Sequence, residues 1–128
     1  MTSEETMKQA MQAYIDGFNR VEVDAIIALY ADDATVEDPV GSGKVLKGRA
    51  EISDFYRMAI KTGAQLSLVA PIRASHGNSA AMAFDVNLKM PQGQMVIQVI
   101  DVMTFNDAGK FSSMRAYWGK TDMVATPA

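Results

Sequence analysis

The chain has 128 residues, 48% of them apolar, with 12 basic and 15 acidic side chains and a formal net charge of -3. This fits a single domain over residues 1–128 with one core, and the acidic balance argues against a nucleic-acid or anionic-lipid partner, both of which favour basic patches. With no cysteine and one histidine, His76, thiolate chemistry is excluded and the usual zinc sites and Ser/His/Asp triads nearly so, which leaves Asp, Glu, Tyr, Lys or Arg for any catalysis.

The opening MTSEETMK is acidic and polar where a secretory signal is basic and then apolar, and the longest apolar run, AIIALYA, is too short to cross a membrane. A cytoplasmic protein is expected. Thr2 and Glu5 have capping-box spacing, and Met7, Met11, Tyr14 and Phe18 recur along one face of an amphipathic helix, with Tyr14 pointing inward. A second helix reads from Val23 to Tyr30, with Ile26, Ile27 and Tyr30 on one side and ADD closing it. Residues 34–38 read as extended, because Thr35 and Val36 favour strand and Pro39 disfavours helix at Asp38. After the GSGK turn, Ile52, Phe55, Tyr56, Ala59 and Ile60 mark a third helix that ends near Gly63.

From Ala64 the hydrophobic period becomes two, and turn signals at residues 76–78, 91–93 and 106–109 separate four long strand candidates. Helices first and a meander second imply an α+β domain in which three N-terminal helices cover one face of a curved sheet and leave an interior pocket. His76, in one of these turns, reads as a solvated residue, and Asp32 and Asp33 read as turn formers at a helix end.

Within QMVIQVIDVMTF, one face carries Met95, Ile97, Val99, Asp101, Met103 and Phe105, so Asp101 is the lone polar member of an apolar row. The preceding strand offers Met82, Phe84, Val86, Leu88 and Met90 on one face, and the last offers Met114, Ala116 and Trp118. An ionised carboxylate in that company carries a heavy desolvation cost. Either Asp101 stays protonated and serves as a hydrogen-bond donor, or a neighbouring-strand arginine such as Arg115 pairs with it. Tyr14 is likewise open to two readings, a core tyrosine satisfied locally or a functional hydroxyl. Among the four carboxylates of ADDATVEDPVG, local pattern does not separate Asp38 from Glu37. The methionine-rich apolar rows suit either an ordinary core or an adaptable lining for a flat apolar ligand.

Tyr14 in QAYIDGFN, Asp38 in ADDATVEDPVG, Asp101 in VIDVMTFNDAGK and Trp118 in SMRAYWG together resemble the ketosteroid isomerases of the nuclear transport factor 2-like superfamily, from about Tyr14 to Gly119. The resemblance implies a cone-shaped α+β roll, a homodimer, no cofactor or metal, and conversion of 3-oxo-delta5-steroids to their conjugated delta4 isomers. It implies Asp38 as the base, Tyr14 and protonated Asp101 as donors to the 3-oxygen, Tyr30 and Tyr56 as a hydrogen-bond network behind Tyr14, and Trp118 as a donor beside the base. Ketosteroid isomerase is itself the standing example of a carboxylic acid held neutral for this purpose. Met82, Phe84, Val86, Val99, Met103, Met114 and Ala116 would line the steroid pocket. The segments GSGKVLKG and KTGAQ match less distinctly and carry nothing over. Two rivals share the cone: a cyclase or dehydratase acting on another enolisable ketone, and a sterol-binding module without turnover, which has no need of Asp38.

Overall fold

In a computed structural model, which describes residues 2–127, helix α1 (Glu4–Asn19) opens at Ser3, whose hydroxyl accepts from the Thr6 amide at 3.2 Å. Thr2 does not cap it. Its hydroxyl instead donates to the Asn106 carbonyl at 2.8 Å and ties the N-terminus to a distant turn. The inward face holds Met7, Met11, Tyr14 and Phe18, as the apolar spacing predicts, and Ile15 is buried beside them.

Helix α2 (Val23–Ile27) is shorter than its periodicity suggests, and Tyr30 begins strand β1 (Tyr30–Glu37). Pairing is the cause. The Leu29 carbonyl accepts from the Phe111 amide at 2.8 Å, and Lys110 Nζ donates to the Ala28 carbonyl at 2.9 Å, so a strand contact captures what would have been the next helical turn. At Gly17 a Cβ would approach Ile26 Cγ1 to 3.3 Å, so the small residue lets α1 and α2 pack closely. Two residues, Leu46–Lys47, form β2, which pairs with β1, and α3 (Gly48–Lys61) follows.

The stretch expected as one strand after Ala64 is two: β3 (Gln65–Leu68) and β4 (Arg73–Ala74). Pro71 lies between them and has no N–H for a ladder. Then come β5 (Ser79–Met90), β6 (Gly93–Phe105), β7 (Phe111–Tyr117), a 3₁₀ turn at Lys120–Asp122, and β8 (Met123–Pro127), which the sequence pattern did not announce.

The sheet runs β2-β1-β7-β6-β5-β3, antiparallel except for the parallel β1–β7 pair. Strand β6 pairs with β5 from Thr104 to Gly93, while its other edge is shared by β7 and β8. The core lies between this sheet and α1 and α3. There Ile52 and Tyr56 of α3 and the α1 face meet the inward row of Ala80, Met82, Phe84, Val99, Met103, Phe105, Met114 and Ala116. Each large side chain so buried contributes about 1.5–3 kcal/mol before entropy is counted. Among the described residues no helix is long and apolar enough to cross a membrane.

Candidate active site

Three tyrosines from three elements meet inside the cone. Tyr14 comes from the buried face of α1, Tyr56 from that of α3, and Tyr30 from the first position of β1. The Tyr56 hydroxyl lies 2.9 Å from that of Tyr14 and 2.5 Å from that of Tyr30. Tyr14 and Tyr56 pack edge to face at 5.7 Å, and Tyr30 does the same on Phe111 at 5.1 Å. Burial foremost pushes all three phenols well above their ordinary range, so they stay neutral. If Tyr30 donates to Tyr56 and Tyr56 to Tyr14, every bond in the chain is made and the Tyr14 proton is free for a ligand. The Tyr30 end is fixed by Arg49, whose guanidinium donates to the Tyr30 carbonyl at 2.9 Å and pairs with Asp32 at 3.2 Å.

Asp101 sits mid-way along β6, opposite Met82 of β5 and Ala116 of β7, with Val99 and Met103 on the same face. It is 1% exposed and is the buried charged-type residue of the core, and neither carboxyl oxygen has a hydrogen-bond partner. Burial first, and then the charge of Asp38, push its pKa well above the carboxylate range. The neutral acid is the form this place favours, and its proton is uncommitted. Arg115 is not its partner: it lies opposite Val102, bonds to Glu37 Oε1 at 3.3 Å and stacks 5.7 Å above the Tyr117 ring.

Asp38 follows the last residue of β1, ahead of a cis bond to Pro39, and is half-buried. Trp118 Nε1 donates to its Oδ1 at 2.8 Å. Burial raises the Asp38 pKa and the indole N–H pulls against that rise. Glu37, its neighbour, is committed elsewhere. Its Oε2 accepts from the Gly41 amide at 3.0 Å and its Oε1 from Arg115, and these bonds, the Gly41 amide first, hold its pKa low. With the Val40 amide bonded to the Ala116 carbonyl at 2.8 Å, the turn after Asp38 is pinned to β7. Asp32 and Asp33 are exposed in a stretch of β1 where the register with β7 slips, between Tyr30 and Thr35. His76 is in no metal-binding cluster among the described residues.

The expected pocket residues divide. Phe84 and Val86 line a cavity of about 170 Å³ together with Tyr14 and Tyr56. Val99, with Phe84 and Trp118, borders a depression of about 610 Å³ that also reaches Ile100 and Tyr117. Met82, Met103, Met114 and Ala116 are buried around Asp101 and line neither space. Phe18, Phe55, Ala59, Leu66 and Leu88 also wall the smaller cavity. Of these, Phe18, Phe55 and Ala59 were visible only as members of apolar helix faces, a signal that does not distinguish core from lining.

Residues 11–114 match the SnoaL-like domain family. Over 122 residues, covering 95% of this chain and 97% of the relative, the chain is 44% identical to a steroid delta-isomerase of Nocardioides simplex. The chain belongs to the ketosteroid isomerases of the nuclear transport factor 2-like superfamily. It is an enzyme of the isomerase class, and its three helices on a mostly antiparallel curved sheet are the cone expected from sequence. Other proteins similar to this chain are named for epoxide chemistry. An epoxide hydrolase, LasB, of Streptomyces lasalocidi is 28% identical over 134 residues, with this chain spanning 47% of its length. The solved structure of the epoxide hydrolase/cyclase-like enzyme SalBIII, of pyran ring formation in the polyether salinomycin, superposes with a TM-score of 0.90 at 30% identity, covering 98% of this chain and 100% of that one.

Proposed function

We propose that this protein converts 3-oxo-delta5-steroids to 3-oxo-delta4-steroids. The observation that carries the reading is Asp101, a buried carboxyl with two unpartnered oxygens in the same interior as the Tyr14 end of a tyrosine chain and the half-buried Asp38. A carbon acid beside a ketone is weak, so proton removal needs both a base and a place for negative charge. Ionised Asp38 takes a proton from carbon 4, the C–H electrons form the dienolate, and its oxygen accepts hydrogen bonds from Tyr14 and from the Asp101 acid. The protonated Asp38 then returns the proton to carbon 6, which restores the ketone and leaves the double bond in conjugation.

A positioned base supplies typically about 10²- to 10⁴-fold. Each donor at the developing oxyanion in a dry site is worth roughly 3–4 kcal/mol, so the Tyr14 and Asp101 pair carries the larger share. Trp118 holds Asp38 Oδ1 and keeps its basicity in check, while Tyr30 and Tyr56 orient the Tyr14 proton. Met82, Met103, Met114 and Ala116 keep the surroundings of Asp101 apolar, and Phe84, Val86 and Val99 contact the ring system. The reading includes a homodimer through the outward face of β6 and β7, where Ile100 and Tyr117 are 49% and 42% exposed.

The similarity to LasB and SalBIII favours a second reading, an epoxide-opening or cyclising reaction driven by one ionised and one protonated carboxyl. One assay separates the two. Purified protein mixed with a 3-oxo-delta5-steroid should produce the ultraviolet absorbance of a conjugated enone, and no rise above the buffer rate would rule the isomerase out. Asp38→Asn should lose turnover by at least about 10²-fold and still bind a phenolic steroid, whose hydroxyl takes the place of the dienolate oxygen.

A further inference from the structure

The cavity beside Tyr14 measures about 170 Å³. That is below the ~300–1,000 Å³ of sites that enclose a small molecule, so a four-ring ketone held there by its oxygen must project beyond it. Three spaces adjoin. The cavity shares Phe55, Ala59 and Thr62 with an open groove of about 610 Å³ along α3, which continues to Met58 and Leu46. On the other side it shares Leu88 with a depression bordered by Gln65, Asn87, Lys89 and Gln94. It also shares Phe84 with the depression at Trp118, which Asp85, Gln98 and Asp122 border.

The chemistry of the three differs. Amides and an ammonium group border the space at Leu88, and two carboxylates and an amide border the one at Phe84, whereas the groove is walled mainly by carbon, with Glu51 and Asp54 its charged members. Met58 is 66% exposed, a large apolar side chain left in water one helical turn from Phe55 and Thr62. We infer that the α3 groove is an extension of the substrate site, taking an apolar chain at the end of the substrate remote from its ketone. The substrate class is then 3-oxo-delta5-steroids that keep an alkyl side chain on the last ring, and Met58 sets the preference for that chain. This inference rests on the isomerase reading. It follows from the walls shared by cavity and groove and from the size of the cavity.

The test compares kcat/KM for two 3-oxo-delta5-steroids, one with an eight-carbon alkyl side chain on the last ring and one without, in the wild type, Met58→Lys and Met58→Leu. The wild type should prefer the side-chain substrate. The ratio of the two kcat/KM values should fall about tenfold in Met58→Lys, chiefly through KM of the longer substrate, and recover in Met58→Leu, as befits a methylene-scale contact in an apolar site. A wild type indifferent to the chain, or a ratio unchanged in Met58→Lys, overturns the inference and leaves the isomerase reading standing. Conversion of neither substrate overturns both. Sedimentation of Met58→Lys should match the wild type, and a changed oligomeric state would make the groove a protein interface and the inference wrong.

Discussion

Asp38 and Asp101 are the same residue type in opposite states, and the difference comes from what surrounds each. Asp101 has apolar neighbours and no donor, and the charge of Asp38 adds to its reluctance to ionise. Asp38 is only half-buried and holds an indole N–H, so it is the one of the two that can carry charge. If ionised Asp38 is the base, kcat/KM falls as pH drops through its pKa. The Trp118 bond lowers that pKa, so Trp118→Phe should move the acid limb of the kcat/KM profile to higher pH. A limb that stays in place would mean that the indole does not tune the base.

The Asp101 shift also has a consequence for stability. Its folded pKa lies above the unfolded value of ~3.9, so the stability contributed by the bound proton is complete below that pH and is lost as pH rises toward the folded pKa. Leucine does not titrate. Asp101→Leu should therefore gain stability relative to the wild type by about 1.4 kcal/mol per pH unit across that window, while turnover falls about 10²- to 10³-fold with loss of the donor. Urea unfolding over a pH series checks the first part, and a stability difference flat with pH would mean that Asp101 is not held neutral.

At the scale of elements, what could be foreseen was whatever one-sided burial stamps on a periodic segment. The α1 face through Met7, Met11, Tyr14 and Phe18 and the β6 row containing Asp101 are of this kind, because each element buries a single face. What could not be foreseen was decided by contacts across long chain distances. Tyr30 leaves the helical pattern because Phe111 pairs with Leu29, and Asp32 and Asp33 stand out of register in β1 instead of ending a helix. Pro71, present in the sequence, divides an apparently continuous strand. The candidate base shows the same limit. Glu37 and Asp38 look alike locally, and what distinguishes them is Arg115 on the one and Trp118 on the other, side chains of a strand and its end near the far terminus.

For the whole molecule, the curved sheet has two unequal faces. The inward one is filled by the helices, and the outward one leaves Ile100 and Tyr117, register partners on β6 and β7, in water beside Val69 at 59% exposed. They stand one residue from Asp101 and Trp118 respectively, so whatever covers this face also steadies the strands that carry the site. In a two-fold dimer each substitution counts twice, because the same patch faces itself across the axis. Ile100→Glu would place one uncompensated carboxylate from each copy in the interface, and several kcal/mol of repulsion and desolvation correspond to a dissociation constant raised at least about hundredfold. Sedimentation equilibrium should show the wild type as a dimer at micromolar concentration and Ile100→Glu as a monomer, with specific activity of the wild type falling on dilution through the same range. A wild-type monomer would remove the dimer from this reading, and an Ile100→Glu variant that stays dimeric would move the interface to another face.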